Sequence, residues 1–443
     1  MKTKTKTVLA IISACLLQTI QANNYVWIHG LTDDETCWTV YQQAFTASNG
    51  VRVGYSSEQS ISQAASRTWN NSNGKLADFN AHDGDNNYKL SSKNDMILIC
   101  HSMGGLVARD LQYQFGNEKG SNNAPKIKGI ITLGTPHEGA QIENSLSGGP
   151  FKNLVMKLIT GLITSTSLSI ASGGGVLANT ISSAVMPTVA TGIKAGVTEV
   201  GSYLLLSCFL SNTDLGYKQC DKDMQVGSPY MKTIATRRVT VPMLCFAAEE
   251  DRWQLARLGT CSVKGTNLRT DANVNTSGNI DKSGYLLWQS VQLGSYMGGA
   301  VHTGFAVYFF ATGFTNPFNF YLSGLHGLAA ASWFTTANYM NNGIDFDHAA
   351  LVGATHVETI AENHRFLWRK WTTYKNITVP EPHDGVVPVK SQYMATNKGT
   401  DVIIPNATIK GVNHVEEFNH PNTNVVFKQE IISGGYRPKV FMN

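Results

Sequence analysis

Ser102 lies in the stretch Asn94–Arg109, NDMILICHSMGGLVAR, between an apolar run and a helix-like pattern. A serine forced onto a sharp strand-to-helix turn lifts its hydroxyl above the sheet, and such a turn admits only small side chains two positions away. Gly104 meets that requirement on the far side, and Cys100, also small, stands where a glycine is usual on the near side. A serine hydroxyl becomes a nucleophile only when a base takes its proton and an acid holds that base in one tautomer. In strand, serine turn and helix arrangements the partners follow along the chain as acid, then histidine. The C-terminal part offers both. Ile377–Pro380 leads into Pro382-His383-Asp384-Gly385, and Asp401–Ile409 leads through Lys410-Gly411-Val412-Asn413 to His414. Asp384 is the expected acid and His414 the expected base. Asp251, after the apolar run Val239–Ala247, is the rival acid, and His420 is the rival base. A tetrahedral intermediate also needs donors for its oxyanion: the amide of Met103, after the serine, and that of Leu31, after His29-Gly30. Together these parts would carry out acyl transfer through a serine. The plainer readings are that Ser102 caps the helix starting at Met103 and that Asp384 serves an Asx turn.

The elements that must hold these groups are legible around them. Met96–Cys100 is an apolar run too short for a helix and reads as a buried strand, while Ala108, Leu111 and Phe115 recur at helical spacing up to Gly116. Further strand-like runs, Tyr25–Ile28, Ile127–Leu133 and Val239–Ala247, each end in a loop rich in glycine or charge. Strands alternating with helices predict an α/β fold with a mostly parallel central sheet flanked by helices, its functional loops gathered on one rim. His29, His101 and His137 lie on those loops and are expected to shape the rim by hydrogen bonding. Two segments without Asp, Glu, Lys or Arg, Leu158–Ile193 and Gly284–Ile344, break the rhythm. They predict two large apolar cap or lid insertions, 141–235 and 252–376, on one core domain of residues 23–443. An uncharged surface of that size suits a lipid surface or an acyl pocket. Ser, Thr and Gly interrupt the first segment too often for a membrane span.

Lys2, Lys4 and Lys6 precede the apolar stretch Val8–Leu17, which predicts that residues 1–22 are a secretory signal. Ile12-Ser13-Ala14-Cys15 offers lipid anchoring through Cys15, or a periplasmic location, as the alternative. These lysines supply most of the formal charge of +4, so the remainder is close to neutral and nucleic acid is excluded as a partner. Neither CxxC nor HExxH occurs, and the serine chemistry requires no cofactor. Secretion permits disulfides, with Cys208/Cys220 and Cys245/Cys261 closest in sequence, yet Cys100 and Cys245 lie on strand-like runs and equally suit buried thiols.

Taken together, HGL near the mature N-terminus, HSMGGLVAR, LGTPHEG, HDGVVP and NHVEEFNHP resemble the α/β-hydrolase superfamily and, within it, the secreted true (triacylglycerol) lipases of bacteria. The resemblance runs over Val26–Phe45, Asp95–Gly139 and Asp384–Pro421. It implies an α/β-hydrolase fold, Ser102 as nucleophile, Asp384 as acid, His414 as base and an oxyanion hole from the amides of Leu31 and Met103. It also implies a lid after Gly139 and a secreted ester hydrolase acting on acyl esters at a lipid–water interface. A phospholipase or lipid acyltransferase would use the same triad, and a non-catalytic lipid-binding protein would keep the fold. Some lipases of this kind hold a structural calcium ion with an acid two residues after the histidine, which here is Glu416. Arg252–Tyr374 matches no part of the pattern.

Overall fold

The computed structural model describes residues 24–31, 35–38, 51–55, 59–70, 90–120, 123–148, 219–250, 283–338, 344–394, 402–403, 408–418 and 420–427. The expected signal segment with Cys15, the uncharged stretch Leu158–Ile193, Cys208, Cys261 and the rival acid Asp251 lie outside them. In chain order the first half contributes β1 (Asn24–Ile28), β2 (Val51–Val53), α1 (Ile61–Asn70), β3 (Met96–His101), α2 (Met103–Phe115), β4 (Ile127–Leu133), α3 (Gln141–Gly148), α4 (Gln219–Met224), α5 (Pro229–Thr236), β5 (Met243–Phe246) and β6 (Ala248–Glu249). The second half adds α6 (Ser283–Gly313), α7 (Phe318–Asn338), α8 (Ile344–Val352), β7 (Thr355–Phe366), β8 (Arg369–Pro380), α9 (Val389–Gln392), β9 (Val402–Ile403), β10 (Ile409–Lys410) and α10 (Pro421–Phe427).

Six strands pair in the order β2-β1-β3-β4-β5-β9, every neighbour parallel. A parallel sheet carries crossover helices on both faces, so its central strands are apolar on both sides. All residues of β3 are buried accordingly. The strand period of two divides them between two cores. Met96, Leu98 and Cys100 join Leu106, Val107 and Leu111 of α2 and Ala64 and Ala65 of α1. Ile97 and Ile99 join Trp27, Trp38, Ile131, Leu133, Phe246 and Phe427 on the other face. Cys100 and Cys245 are buried thiols, and burial raises both, Cys245 to about 11.

Two expected strands differ from the observed ones. The run Val239–Ala247 narrows to β5 at Met243–Phe246, because Pro242 has no N–H to give to a ladder; its carbonyl still accepts from Ile130 N at 3.0 Å. The run Ile377–Pro380 is no core strand but the end of β8, which pairs antiparallel with β7 over twelve-residue strands, from Thr355↔Pro380 to Phe366↔Arg369. The second uncharged segment becomes the paired helices α6 and α7, which leave Phe310, Phe314, Phe318 and Tyr321 exposed. α8 returns the chain to the core, where Ala349, Val352 and Ala354 pack on Ala140 and Ile142 beside α3. No helix among the described residues is long and apolar enough to cross a membrane.

Candidate functional site

Between β3 and α2, Ser102 adopts φ 51°, ψ −129°, a left-handed conformation costly for a residue with a Cβ. The neighbouring strands hold it there. Ser102 N donates to Leu133 O at the end of β4 at 3.0 Å, and Gly105 N donates to Ser102 O at 3.0 Å. Gly104 permits the turn to sit this close to β1, since a Cβ at that position would lie 2.5 Å from His29 O and 2.6 Å from Ile28 O. The Ser102 side chain makes no capping hydrogen bond to α2. Its Oγ instead lies 2.8 Å from His414 Nε2.

His414 sits on the turn after β10, and its Nδ1 is 2.8 Å from Asp384 Oδ2. The backbones are joined as well, His414 N donating to Asp384 O at 2.8 Å. The two carboxylate oxygens of Asp384 divide their work. Oδ1 accepts the N–H groups of Val386 and Val387 at 2.8 and 2.7 Å, closing an Asx turn, and Oδ2 faces the imidazole. Burial opposes ionisation of Asp384, but His414, the Val387 N–H and a hydrogen bond from Glu417 outweigh it and hold the carboxyl below the usual range.

Around this chain of contacts the structure places groups that the sequence did not single out. Glu417 is fully buried, 3.2 Å from His101 Nε2 and 3.9 Å from His414 Nδ1. Burial and the negative charge of Asp384 push its carboxyl well above the ordinary range, in the direction opposite to Asp384. Its space comes from Gly134, at φ +60°, where a Cβ would lie 1.9 Å from Glu417 Oε2. The i, i+3 spacing from His414 was the available signal for Glu417. His348, on α8, donates Nε2–H to Gly385 O at 2.8 Å, and its ring meets that of His383 edge to face at 5.0 Å. Burial lowers His348 to about 4 and His383 to about 3, so both are neutral supports of the Asp384 loop.

The remaining expected residues take clear places. Gly30 runs against the serine, a Cβ there lying 2.9 Å from Ser102 Cβ, which brings the half-buried Leu31 to the same rim. Met103 is the first residue of α2, so its N–H is among the helix donors lacking an intrahelical acceptor. Tyr55 fixes the His29 loop, donating its N–H to His29 Nε2 at 3.2 Å and its hydroxyl to His29 O at 2.7 Å. His101 packs at 4.9 Å from the His414 ring and lies 3.0 Å from His414 O. His137 is buried near Thr132 and Cys245, and burial lowers it well below its ordinary value. His420 immediately precedes α10, where its Nδ1 accepts from Asn422 N at 3.0 Å; it is His414 that meets Ser102. Glu416 lies outside the single group of metal-type ligands among the described residues, His101, His414 and Glu417. Calcium takes oxygen ligands, and a group with two imidazoles does not fit it.

The sequence model of a family described as "PGAP1-like alpha/beta domain" matches residues 75–192, which include β3, α2 and β4. No protein of curated function gives a significant sequence match. Among solved structures, the chain is similar to a mature lipase of Bacillus licheniformis at 14% identity and a TM-score of 0.27, covering 57% of this chain and 78% of that one. It is also similar to an extracellular α/β-hydrolase from a Paenibacillus species, described as sharing structural and functional homology with tobacco salicylic acid binding protein 2, at 14% identity and a TM-score of 0.23, covering 50% of this chain and 76% of that one. Six parallel strands flanked by helices, with a strained serine turn between β3 and α2 inside the segment that this family model matches, give the chain an α/β-hydrolase-type fold.

Proposed function

We propose that the protein is a secreted serine ester hydrolase of the lipase type, cleaving acyl esters of lipids through an acyl-enzyme intermediate. The observation that carries this reading is the continuous path from Ser102 Oγ through His414 to Asp384, with 2.8 Å at each step. In the first half-reaction His414 Nε2 takes the Ser102 proton as Oγ attacks the ester carbonyl. The amides of Leu31 and Met103 receive the oxyanion, and protonated His414 gives its proton to the leaving alcohol. Asp384 stays ionised and stabilises the imidazolium. In the second half-reaction His414 activates water, which attacks the acyl carbonyl and releases the fatty acid and Ser102. The exposed aromatic residues of α6 and α7, in a stretch without formal charge, favour an apolar acyl substrate and support the reading of that insertion as a cap.

Labelling with a fluorophosphonate ester tests the chemistry: the reagent is expected to modify the protein and to fail on Ser102→Ala. Unlabelled but folded parent protein would favour a silent lipid-binding role. Turnover of triolein, a phospholipid and a short soluble ester then assigns the substrate, and a lipase gains rate above the solubility limit of its substrate. A flat response across that limit removes the lipid part of the reading and leaves an esterase.

A further inference from the structure

The β7–β8 arm leaves the core immediately before the Asp384 loop. Glu381 N donates to Ala354 O at 2.7 Å across its base, and Asp384 follows three residues later. From there two twelve-residue strands extend as an isolated antiparallel pair with almost every side chain at least partly exposed. At about 3.4 Å per residue the arm is roughly 40 Å long. Its turn is Leu367-Trp368, where asparagine and glycine are the favoured residues. Leu367 instead sits at φ 54° with its side chain exposed, and Trp368 is 84% exposed. Phe366, Trp371 and Tyr374 continue the exposed apolar surface down the arm.

The charges at the tip are also arranged at a cost. Arg365 and Lys370 face each other directly across the strands, and Arg369 adjoins the turn. Like charges directly opposite on a sheet repel. The acids of the arm, Glu358 and Glu362, lie nearer the base on β7. The tip thus combines a bulky apolar residue in left-handed backbone, an exposed indole and three crowded cations. Both costs are offset if the apolar side chains enter lipid and the cations meet anionic headgroups, since Trp prefers the membrane interface and Arg and Lys keep their charges at headgroup level. An extra protein strand on the arm's edge would use neither feature.

We propose that the β7–β8 tip docks the protein onto anionic phospholipid surfaces, with Leu367 and Trp368 inserted and Arg365, Arg369 and Lys370 on the headgroups. This deepens, and as a statement about substrate delivery rests on, the lipid-directed reading of the site. The arm acts as a tether that raises the local concentration of the Ser102 site at such a surface.

Binding of the full chain carrying Ser102→Ala to vesicles of phosphatidylcholine, with and without phosphatidylglycerol, tests the proposal. The expected result is tighter binding to the anionic vesicles and quenching of tryptophan fluorescence by brominated acyl chains. Leu367→Gly with Trp368→Ser should abolish the quenching while easing the turn. Arg365→Gln with Lys370→Gln should weaken binding to anionic vesicles roughly 25-fold, at about fivefold per cation, and leave neutral vesicles unaffected. Equal binding to both vesicle types, or tip variants that bind like the parent, would overturn the proposal. Introduced into the chain with Ser102 intact, the same tip substitutions should leave turnover of a short soluble ester unchanged. If the Ser102-intact chain shows no such turnover while the charge-dependent binding persists, the hydrolase reading fails and the docking reading stands.

Discussion

Asp384 and Glu417 are two buried carboxyls in one small volume, and the surroundings push them in opposite directions. An imidazole and backbone N–H groups favour the charged form of Asp384, whereas burial and that same charge favour the protonated form of Glu417. Asp384→Asn preserves the turn but removes the charge that stabilises the imidazolium, so kcat should fall by about four orders of magnitude. A similar loss on Asp251→Asn with full activity for Asp384→Asn would move the acid to the other loop. Glu417→Gln should be mild, because an amide replaces a protonated acid with its donor kept, whereas Glu417→Ala leaves a cavity beside Gly134 and should lower kcat and stability together. Loss of activity in Glu417→Gln equal to that in Glu417→Ala would show that Glu417 acts as an anion. That Ser102, Asp384 and His414 would meet was legible in the sequence because each sits in a short loop beside an apolar run. Glu417, adjacent to Glu416, is set apart in the sequence only by its i, i+3 spacing from His414, which by itself does not tell which of two glutamates turns inward.

Among the elements, β3 with α2 and β4 followed the sequence closely because each is a buried apolar run closed by glycine or polar residues. The run before Asp384, Ile377–Pro380, is apolar enough for a core strand, and only its pairing with β7 sets it apart. The contact between α3 and α4 carries a prediction of its own. Burial, and then the charge of Asp221, raise the Glu143 carboxyl to about 8. Between the unfolded value near 4.5 and about 8 the folded chain holds a proton that the unfolded chain has released. Stability should therefore decline as pH rises through that window, by at most about 1.4 kcal/mol per pH unit from this group. Glu143→Gln should flatten that decline, visible as a smaller drop in Tm between pH 5 and pH 8; an unchanged slope would mean that Glu143 ionises normally.

At the scale of the whole molecule, the fold class was legible from alternation of strands and helices, while the structure of the uncharged segments was not. Their lack of charge announced a surface of unusual chemistry, but no local pattern told that Gly284–Ile344 would form two helices, or that charged residues just beyond it would build a β arm. His348 belongs to the same gap in legibility: it supports the Asp384 loop from a segment whose role only the tertiary structure reveals. Ser102 and His414, in contact in the fold, are 312 residues apart along the chain. At roughly 5–20 residues per second of synthesis, Ser102 leaves the ribosome about 15–60 s before His414 exists. Throughout that interval the nascent chain carries an ordinary alcohol, and the chemistry proposed for the finished protein is withheld until its last strands have been made.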